Sequence, residues 1–467
     1  MSAWGTHTLA DIAEALRDGT ASARTLFEIA AAAHASDGET LNAYRVWDGE
    51  HARERADAAD KAFKEGRDAG PLQGIPFSAK DLFGISHLDT YAGSPKVLPD
   101  KWSAEGPFIK SVLNQNAVLT GKTHQVEFAF GGLGTNAHWP IPRNPWDAKD
   151  ARVSGGSSSG AGVSLIEGSA LVALGSDTAG SVRVPASMTG TVGLKVTGGR
   201  WPLDGIVPLS PTLDTPGILA RTVADAALVY EVIDASCAGR DMRDTPEAAD
   251  LGSVRLGLCE THFWDDCPTD IATVTRQALM ISEKGGATML DAALPEVVQA
   301  YELFRQGSVV SSELKAFLES ELPDWIETLD PNIAFRMSGA IDIDSGEIDD
   351  RRKRMDEMMK SADLRFADYD VLVSPTVPIT APKVKDVEDG KDYSAANLRA
   401  LKNTCIANIL GLCSLTMPIG LDEAGIPVGL QLMAPGNAED KLLAVALGLE
   451  ERLGTAWERL GPAPLGA

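Results

Sequence analysis

The chain has 467 residues, more than the roughly 250–300 at which a single hydrophobic core usually stops growing. Hydrophobic residues make up 44% of it and charged residues 23%, which is typical of soluble globular proteins and argues against extensive disorder. The net charge is −24, from 42 basic and 66 acidic residues, and no basic stripe interrupts it. Because such a surface repels phosphate groups, neither nucleic acid nor an anionic membrane is expected as a partner.

The cysteines and the N-terminal segment indicate the compartment. Five cysteines without CxxC spacing favour reduced thiols over a disulfide framework. Residues 1–16 lack the basic start and apolar run of a signal peptide, and no apolar stretch is long enough to span a membrane. We therefore expect a cytoplasmic protein.

Residues 1–65 have the apolar spacing of helices. Thr8 is predicted to cap a first helix and Ser22 a second, and a third helix with a charged face follows from His51. We expect this region to form an N-terminal helical layer.

From Pro71 the pattern changes to short strands with turns that contain glycine and proline, at 71–83 and 117–122. A short Gly/Ser-rich run at 154–164 leads into the apolar segment LIEGSALVALGSD, so it is not a disordered linker. A capped helix is predicted at 222–235. Residues 66–235 are thus expected to form a core of strands and helices.

The remainder alternates in the same way. A strand at 254–259 and a helix at 269–284 precede a mainly helical excursion at 295–365. Residues 366–455 return to the core, with strands at 370–375, 414–418 and 428–433 and a last helix near 439–453. This alternation predicts an α/β fold with a largely buried central sheet. With no clear linker, residues 1–467 are interpreted as one domain.

The usual hydrolase motifs are absent. The sequence contains no GxSxG, HExxH or GxxxxGK[ST], and its seven histidines are not paired at metal-ligand spacing. His124 is the best placed of them, after a predicted strand, but a structural role is expected for it. A serine nucleophile would then need another base, and a lysine can serve if burial lowers its pKa. Lys80, which follows the apolar run GIPF, is the candidate.

Two serine-rich turns complete the candidate site. Ser157 lies among glycines in GGSSSGAG, and GSDTAGSVRVP places Ser181 after an apolar strand and a turn of small residues. Successive backbone N–H groups from Thr178 to Ser181 can point into one concavity and stabilise an oxyanion. Each stretch considered alone would be interpreted as an ordinary turn.

Together these motifs resemble the amidase signature family. GGSSSGAG and SDTAGSVRVPA resemble its signature, and PLQGIPFSAKDLF resembles its lysine motif. Flanking segments agree in order, among them RNPWD (143–147), LDTPGILARTVAD (213–225) and GIPVGLQLM (425–433), so the resemblance runs from about residue 8 to about residue 452. It implies a large twisted mixed β-sheet covered by helices on both faces, and no metal or cofactor.

The resemblance also implies the roles of individual residues. Ser181 matches the nucleophile, Ser157 the bridging serine that follows a cis peptide, and Lys80 the base. The implied oxyanion hole consists of the backbone N–H groups of Thr178, Ala179, Gly180 and Ser181.

Neighbouring positions carry further expectations. Asp177 and Arg183 are expected to hold the nucleophile loop by hydrogen bonds or an ion pair. Ser159 and Ala179 replace glycines of the family pattern, and Ala179 would crowd the oxyanion hole if a left-handed conformation were required there.

Part of the substrate pocket is also implied by the family. Phe128, Phe130, Gly131 and Leu133 match the segment that lines the acyl pocket in relatives. Their apolar character suggests an aryl or alkyl acyl group, although core packing would select the same residue types.

The family resemblance implies hydrolysis of a small-molecule amide through an acyl-enzyme, and several alternatives stay open. The same machinery can cleave carbamates, ureas or esters. The A-type component of a tRNA-dependent amidotransferase has the same fold and triad, but residues 345–372 lack its Tyr-Tyr…Lys-Ala pattern. A non-catalytic scaffold would not be expected to keep Lys80, Ser157 and Ser181. Residues 200–217 resemble the arylacetamide- and mandelamide-type hydrolases, and analogy with relatives implies a homodimer.

Overall fold

The computed structural model describes residues 6–306, 308–338, 345–388 and 390–466. Within these ranges the strands are β1 (Tyr44–Trp47), β2 (Pro76–Lys80), β3 (Val118–Thr123), β4 (Val172–Asp177), β5 (Val192–Lys195), β6 (Thr215–Ala220), β7 (Arg255–Leu258), β8 (Thr288–Asp291), β9 (Val371–Pro375), β10 (Cys413–Leu421) and β11 (Pro427–Ala434).

The α-helices of the described ranges are α1 (Leu9–Asp18), α2 (Ala23–Leu41), α3 (Gly49–Lys64), α4 (Pro107–Leu113), α5 (Ser159–Glu167), α6 (Arg183–Thr189), α7 (Val223–Ala238), α8 (Thr269–Lys284), α9 (Glu296–Arg305), α10 (Ser308–Glu321), α11 (Pro331–Ser338), α12 (Ser345–Arg365), α13 (Gly390–Leu401), α14 (Cys405–Ile409), α15 (Glu439–Leu453) and α16 (Ala456–Leu460). Some residues of the predicted regions lie outside the described ones: 1–5 of the N-terminal region, 307 and 339–344 of the helical excursion, 389 of the returning segment, and 467.

The predicted helix starts are confirmed where a capping side chain is present. Thr8 caps α1 with a capping box, Ser22 caps α2, and Thr222 caps α7, each accepting a hydrogen bond from a backbone N–H in the first turn. The N-terminal region also contains β1, which its sequence pattern did not predict. This strand has only four residues and pairs antiparallel with β3, a contact between distant parts of the chain. So short a strand has too few residues for its alternation to be recognised.

The strands form one mixed sheet of eleven, in the order β1-β3-β2-β4-β6-β5-β10-β11-β9-β7-β8. The β2 strand lies parallel to both β3 and β4, while β4 pairs antiparallel with β6. Because β2, β3 and β4 run in the same direction, their carboxyl ends meet at one edge of the sheet. Lys80 and Asp177 end two of these strands, so the candidate motifs are brought to the same edge.

Helices cover both faces of this sheet, as the resemblance implied. Alternate residues of a strand point to opposite faces. Ala173 of β4 and Leu219 of β6 pack with α5 and α6 in one apolar cluster, whereas Leu174 and Ile218 belong to the main core that includes α7. The architecture is therefore α/β. Among the described residues, no helix combines the length and the apolar character required to cross a membrane.

Candidate active site

Lys80 is buried at the carboxyl end of β2, where its amine meets two serines. Its side chain has no exposure, and Nζ donates hydrogen bonds to Ser157 Oγ at 2.7 Å and to Ser176 Oγ at 2.9 Å. Ser176 lies on β4, the parallel neighbour of β2, which explains why the two side chains meet. Ser176 was not among the residues predicted from sequence, although it directly precedes Asp177 in the signature motif.

Ser157 lies in the loop that leads into α5, directly after a cis peptide bond between Gly156 and Ser157. Its carbonyl accepts a hydrogen bond from the N–H of Val126 at 3.1 Å. The next residue, Ser158, donates its N–H to the carbonyl oxygen of Ser181 at 3.2 Å. The loop of Ser157 and the turn of Ser181 are therefore joined through their backbones, and the Ser157 hydroxyl accepts the hydrogen bond from Lys80.

Ser181 occupies the turn between β4 and α6, and it is 4% exposed because it lines a cavity. No hydrogen bond joins its Oγ to another described residue. The proton path from Ser181 to Ser157 is therefore still a prediction, in keeping with the loose catalytic hydrogen bonds of many substrate-free enzymes.

Asp177 and Arg183 form a fully buried ion pair that spans this turn. Arg183 Nη2 lies 2.9 Å from Asp177 Oδ1 and Nε lies 3.0 Å from Oδ2, an arrangement with two parallel hydrogen bonds. Asp177 also accepts the backbone N–H of Gly180 at 2.8 Å, and Arg183 donates to Gln431 and Asn408 at 2.7 Å each. Through these contacts the turn that carries Ser181 is attached to β11 and to α14.

The conformation of the turn explains which of its positions require glycine. Gly180 has φ +139, and a Cβ atom there would lie 2.2 Å from Thr404 Oγ1. Thr404 in turn donates its hydroxyl to the carbonyl of Ala179 at 2.7 Å. Ala179 is not among the described residues with positive φ, so its methyl group causes no backbone strain. Thr404 was not predicted from sequence because it lies more than two hundred residues away.

Burial controls the protonation of the Lys80 amine. It lowers the pKa of Lys80 to about 7, even though the carboxylates of Asp214 and Asp177 act in the opposite direction. Burial also raises the pKa of Asp214 to about 6. The Asp214 carboxyl accepts hydrogen bonds from Thr178 Oγ1 and from the N–H groups of Leu209 and Ser210. Lys80 can thus be neutral near pH 7, as a general base requires.

A cavity of about 340 Å³ opens at Ser181. Thr178 and Ala179 line it beside Ser181, and Ala129, Phe130 and Gly131 form an adjacent wall. The rest of the lining comes from Leu209 and Leu213 and from residues of α9–α14 and Gln306. The helical excursion and the returning segment therefore enclose the space above Ser181.

The four residues matched to the acyl pocket lie in different places. Phe130 and Gly131 line the cavity, whereas Phe128 is buried in the main core beside Phe317 and Leu133 lies in a separate apolar cluster. Phe128 has φ +46, a left-handed conformation that changes the chain direction just before Phe130. The resulting turn separates side chains that are neighbours in sequence.

The histidines do not line this cavity. His124 is buried, and burial lowers the pKa of its imidazole to about 4.

Two other histidines form a cluster with an aspartate. His51 and His87, which are not at metal-ligand spacing in the sequence, both contact Asp48, at 2.9 and 2.6 Å. Their ligand atoms and a carboxylate oxygen of Asp48 all lie within 4.8 Å of one another. The sequence spacing had not indicated this cluster.

Known proteins resemble this chain in sequence and in fold. The family model described as Amidase matches residues 26–443. A 2-amino-5-chloromuconic acid deaminase of Comamonas testosteroni is 46% identical over 97% of this chain and 98% of its own length. The A component of the glutamyl-tRNA(Gln) amidotransferase of Nitratidesulfovibrio vulgaris is 34% identical over 86% of this chain and 88% of its own length. A mandelamide hydrolase of Pseudomonas putida is 28% identical over 98% of this chain and 92% of its own length.

A crystal structure of an amidase superposes with a TM-score of 0.86 at 26% identity, covering 96% of this chain and all of the other. The family model, these relatives and the superposition agree along nearly the whole chain. The chain therefore belongs to the amidase signature family, and it is a hydrolase that acts on the carbon–nitrogen bonds of amides.

Proposed function

We propose that this protein hydrolyses the amide of a small organic molecule through an acyl-enzyme, with Ser181 as nucleophile, Ser157 as proton carrier and Lys80 as base. The observation that carries the proposal is the buried contact of Lys80 with Ser157, 2.7 Å long, beside a nucleophile turn that lines a cavity. A buried amine whose pKa is about 7 is suited to accept a proton from a hydroxyl near neutral pH.

The reaction begins with two coupled proton transfers. Neutral Lys80 takes the proton of Ser157 while Ser157 takes the proton of Ser181, and Ser181 Oγ bonds to the carbonyl carbon. The transfers then reverse, so that the leaving nitrogen receives a proton and the C–N bond breaks. Water attacks the acyl-enzyme by the same route, which releases the carboxylic acid and restores Ser181.

The oxyanion that forms during each attack requires N–H donors in the turn. The N–H of Gly180 already donates to Asp177. Among the described residues no acceptor pairs with the N–H groups of Thr178, Ala179 and Ser181. These three are therefore the proposed donors to the oxyanion, and Gly180 shapes the turn.

The test is release of ammonia or amine from purified protein, without ATP or partner proteins. The panel contains an arylacetamide, an anilide, an aliphatic primary amide, an aryl carbamate, a urea, an aryl ester and glutamine. Ser181→Ala should abolish turnover, and Ser236→Ala, at an exposed serine, should leave it unchanged. Turnover of the ester or carbamate in preference to every amide would overturn the amide assignment. Turnover that persists in Ser181→Ala would refute the assignment of Ser181 as the nucleophile.

A second candidate function comes from the deaminase relative, which is 46% identical over 97% of this chain. We propose that hydrolytic loss of ammonia from an amino-substituted unsaturated dicarboxylic acid be tested beside amide hydrolysis. The assay is ammonia release from 2-aminomuconic acid and from its 5-chloro derivative. Faster turnover of these compounds than of any amide would favour deamination.

The amidotransferase alternative is less well supported. The matched amidotransferase component is 34% identical, against 46% for the deaminase. Cleavage of glutamine alone in the panel would favour an amidotransferase over a stand-alone amidase.

Location and assembly are also part of the proposal. We propose a cytoplasmic location because all five cysteines are free, and a homodimer by analogy with relatives. Light scattering during size-exclusion chromatography would measure the oligomeric state directly.

A further inference from the structure

The lining of the cavity at Ser181 differs in charge from the rest of the protein. The chain has 66 acidic and 42 basic residues, yet the described residues that line the cavity include two arginines and no aspartate, glutamate or lysine. The other lining residues are apolar or uncharged. A neutral substrate would not require a positive cavity in so acidic a protein, whereas an anionic substrate would.

Arg336 of α11 is the better placed of the two arginines. Its Nη1 donates a hydrogen bond to the carbonyl oxygen of Phe130, and its guanidinium carbon lies 3.8 Å from the centroid of the Phe130 ring. These contacts hold the guanidinium beside the wall that Phe130 and Gly131 contribute. Both contacts use an aromatic residue and a backbone oxygen, so neither neutralises the charge.

Arg336 has no carboxylate within ion-pair distance among the described residues. Burial lowers the pKa of its guanidinium, but arginine remains charged because its ordinary pKa is above about 12. Arg183 is paired with Asp177, and Arg200 with Asp234 and Glu439. Arg55, also partly buried, donates to the backbone carbonyls of Ala117 and Leu113 and forms no ion pair with a described residue, so the feature that distinguishes Arg336 is its position in the cavity lining. A charged group that is largely removed from water and has no counterion among the described residues is costly, and an anion bound in the cavity would offset that cost.

Arg305 does not meet the same conditions. Its side chain is 54% exposed, and it lies 3.6 Å from Glu302 on the same helix. An exposed, partly neutralised guanidinium attracts an anionic ligand weakly from a distance and does not hold it in one defined position. Of the two arginines, Arg336 is therefore the one whose guanidinium is held at the cavity wall.

We propose that Arg336 binds a carboxylate of the substrate, so that this enzyme acts on compounds that carry a carboxylate at the end away from the bond to be cleaved. Arginine offers a planar fork of donors that matches the two oxygens of a carboxylate. The apolar lining would contact the hydrocarbon between the two ends. This inference rests on the proposed function, because it assumes that the reacting carbon lies at Ser181.

The test uses matched substrates in the wild-type enzyme. Monoamides of four- to eight-carbon dicarboxylic acids are compared with methyl ketone analogues, in which a methyl group replaces the charged oxygen. For the best chain length we expect kcat/KM to be at least about 10-fold higher for the acid, as expected for hydrogen bonds to charged groups. Equal rates for acid and ketone would overturn the proposal, and this comparison needs no variant.

Variants then locate the contact. Arg336→Met should lower kcat/KM for the acid about 10- to 100-fold and change that for the ketone less than about 3-fold. Arg336→Lys, which keeps the charge but not the fork, should give an intermediate value. Arg276→Met, at an exposed pair with Glu260, is the matched control. A selective loss in Arg305→Met instead of Arg336→Met would overturn the assignment to Arg336, and equal losses for acid and ketone would indicate a merely structural role.

A binding measurement distinguishes failure of the carboxylate site from failure of the proposed function. Calorimetry with the saturated dicarboxylate of the same chain length requires no turnover. Weaker binding to Arg336→Met than to wild type would support the carboxylate site even if no amide were cleaved, which would refute the proposed function alone. Equal binding by both proteins, with amides cleaved normally, would refute the carboxylate site alone. Melting temperatures of all variants identify any loss caused by unfolding.

Discussion

Lys80 and Ser157 are 77 residues apart in the chain, and Lys80 Nζ lies 2.7 Å from Ser157 Oγ. This contact is fully buried, so water does not compete for the amine. The same burial lowers the pKa of Lys80 to about 7, well below the ordinary value for lysine. A residue type that is normally a surface cation is thereby prepared to accept a proton.

The first prediction concerns pH. Because the neutral amine is the active form and the pKa of Lys80 is lowered to about 7, kcat/KM should rise with pH through about 7 and then level off. Lys80→Met should reduce kcat about 10²- to 10⁴-fold by removing the base. The measurement is a pH–rate profile between pH 5 and 9. A flat profile, or near-normal turnover of Lys80→Met at pH 7, would contradict the assigned role.

The second prediction concerns Ser176, whose hydroxyl accepts the other hydrogen bond from Lys80 at 2.9 Å. An acceptor of this kind stabilises the charged amine, so its loss should lower the apparent pKa of the activity profile further. We expect Ser176→Ala to shift the rising limb to lower pH and, because a weaker base accepts the proton less readily, to reduce kcat about 10-fold. Ser158→Ala is the control, because Ser158 Oγ donates to the backbone carbonyl of Ser176 and does not contact Lys80. A shift of the same size in Ser158→Ala would exclude a specific effect on the base.

The third prediction concerns the buried pair of Asp177 and Arg183. Asp177→Asn would leave the Arg183 guanidinium buried without its counterion, which should lower the free energy of unfolding by about 3–5 kcal/mol. The pKa of Asp177 in the folded protein is lowered to about 2, below its unfolded value. Its contribution to stability is therefore present above about pH 4 and lost as the pH falls towards 2.

Chemical denaturation at pH 7 measures this effect. Glu260→Gln, at the exposed pair with Arg276, is the comparison and should change the free energy of unfolding by less than about 1 kcal/mol. Similar losses in the two variants would show that burial of the Asp177–Arg183 pair has no special importance.

The fourth prediction concerns the turn that carries Ser181. Gly180→Ala places a methyl group in a backbone conformation that alanine avoids, and against Thr404, so the turn should move. A displacement of about 1 Å at a catalytic group can cost about 10²-fold in rate. Ala179→Gly, one residue earlier and without positive φ, should stay within about 3-fold of wild type. The single-turnover acylation rate is measured for Gly180→Ala and for Ala179→Gly. Equal rate losses in the two variants would refute the conclusion that only position 180 requires glycine.

Much of the fold could be predicted because its signals are local. Thr8, Ser22 and Thr222 are recognisable as helix caps, since the capping hydroxyl and the first turn are adjacent in sequence. The helix at 269–284 has its predicted bounds. Strand β1 was missed because its stability comes from pairing with β3 and not from its own four residues.

The candidate site divides in the same way. Lys80, Ser157 and Ser181 lie in motifs whose resemblance to a family is carried by consecutive residues. Ser176 and Asp214 lie within the recognised segments, but only the coordinates show that one contacts the Lys80 amine and that the other carries a charge near it. Thr404 contacts the turn of Ser181 from a distant part of the chain, and its type is too common to be selected without coordinates.

Which residues could carry the chemistry was thus determined by short stretches of chain, because propensities, caps and motifs act over a few residues. Only the tertiary structure decided that the amine of Lys80 is buried, that Phe130 lines the cavity while Phe128 lies in the core, and that Arg336 has no carboxylate partner among the described residues. Burial, pKa and ion pairing depend on groups brought together from distant parts of the chain. Those groups meet only when eleven strands form one sheet and helices close over its edge.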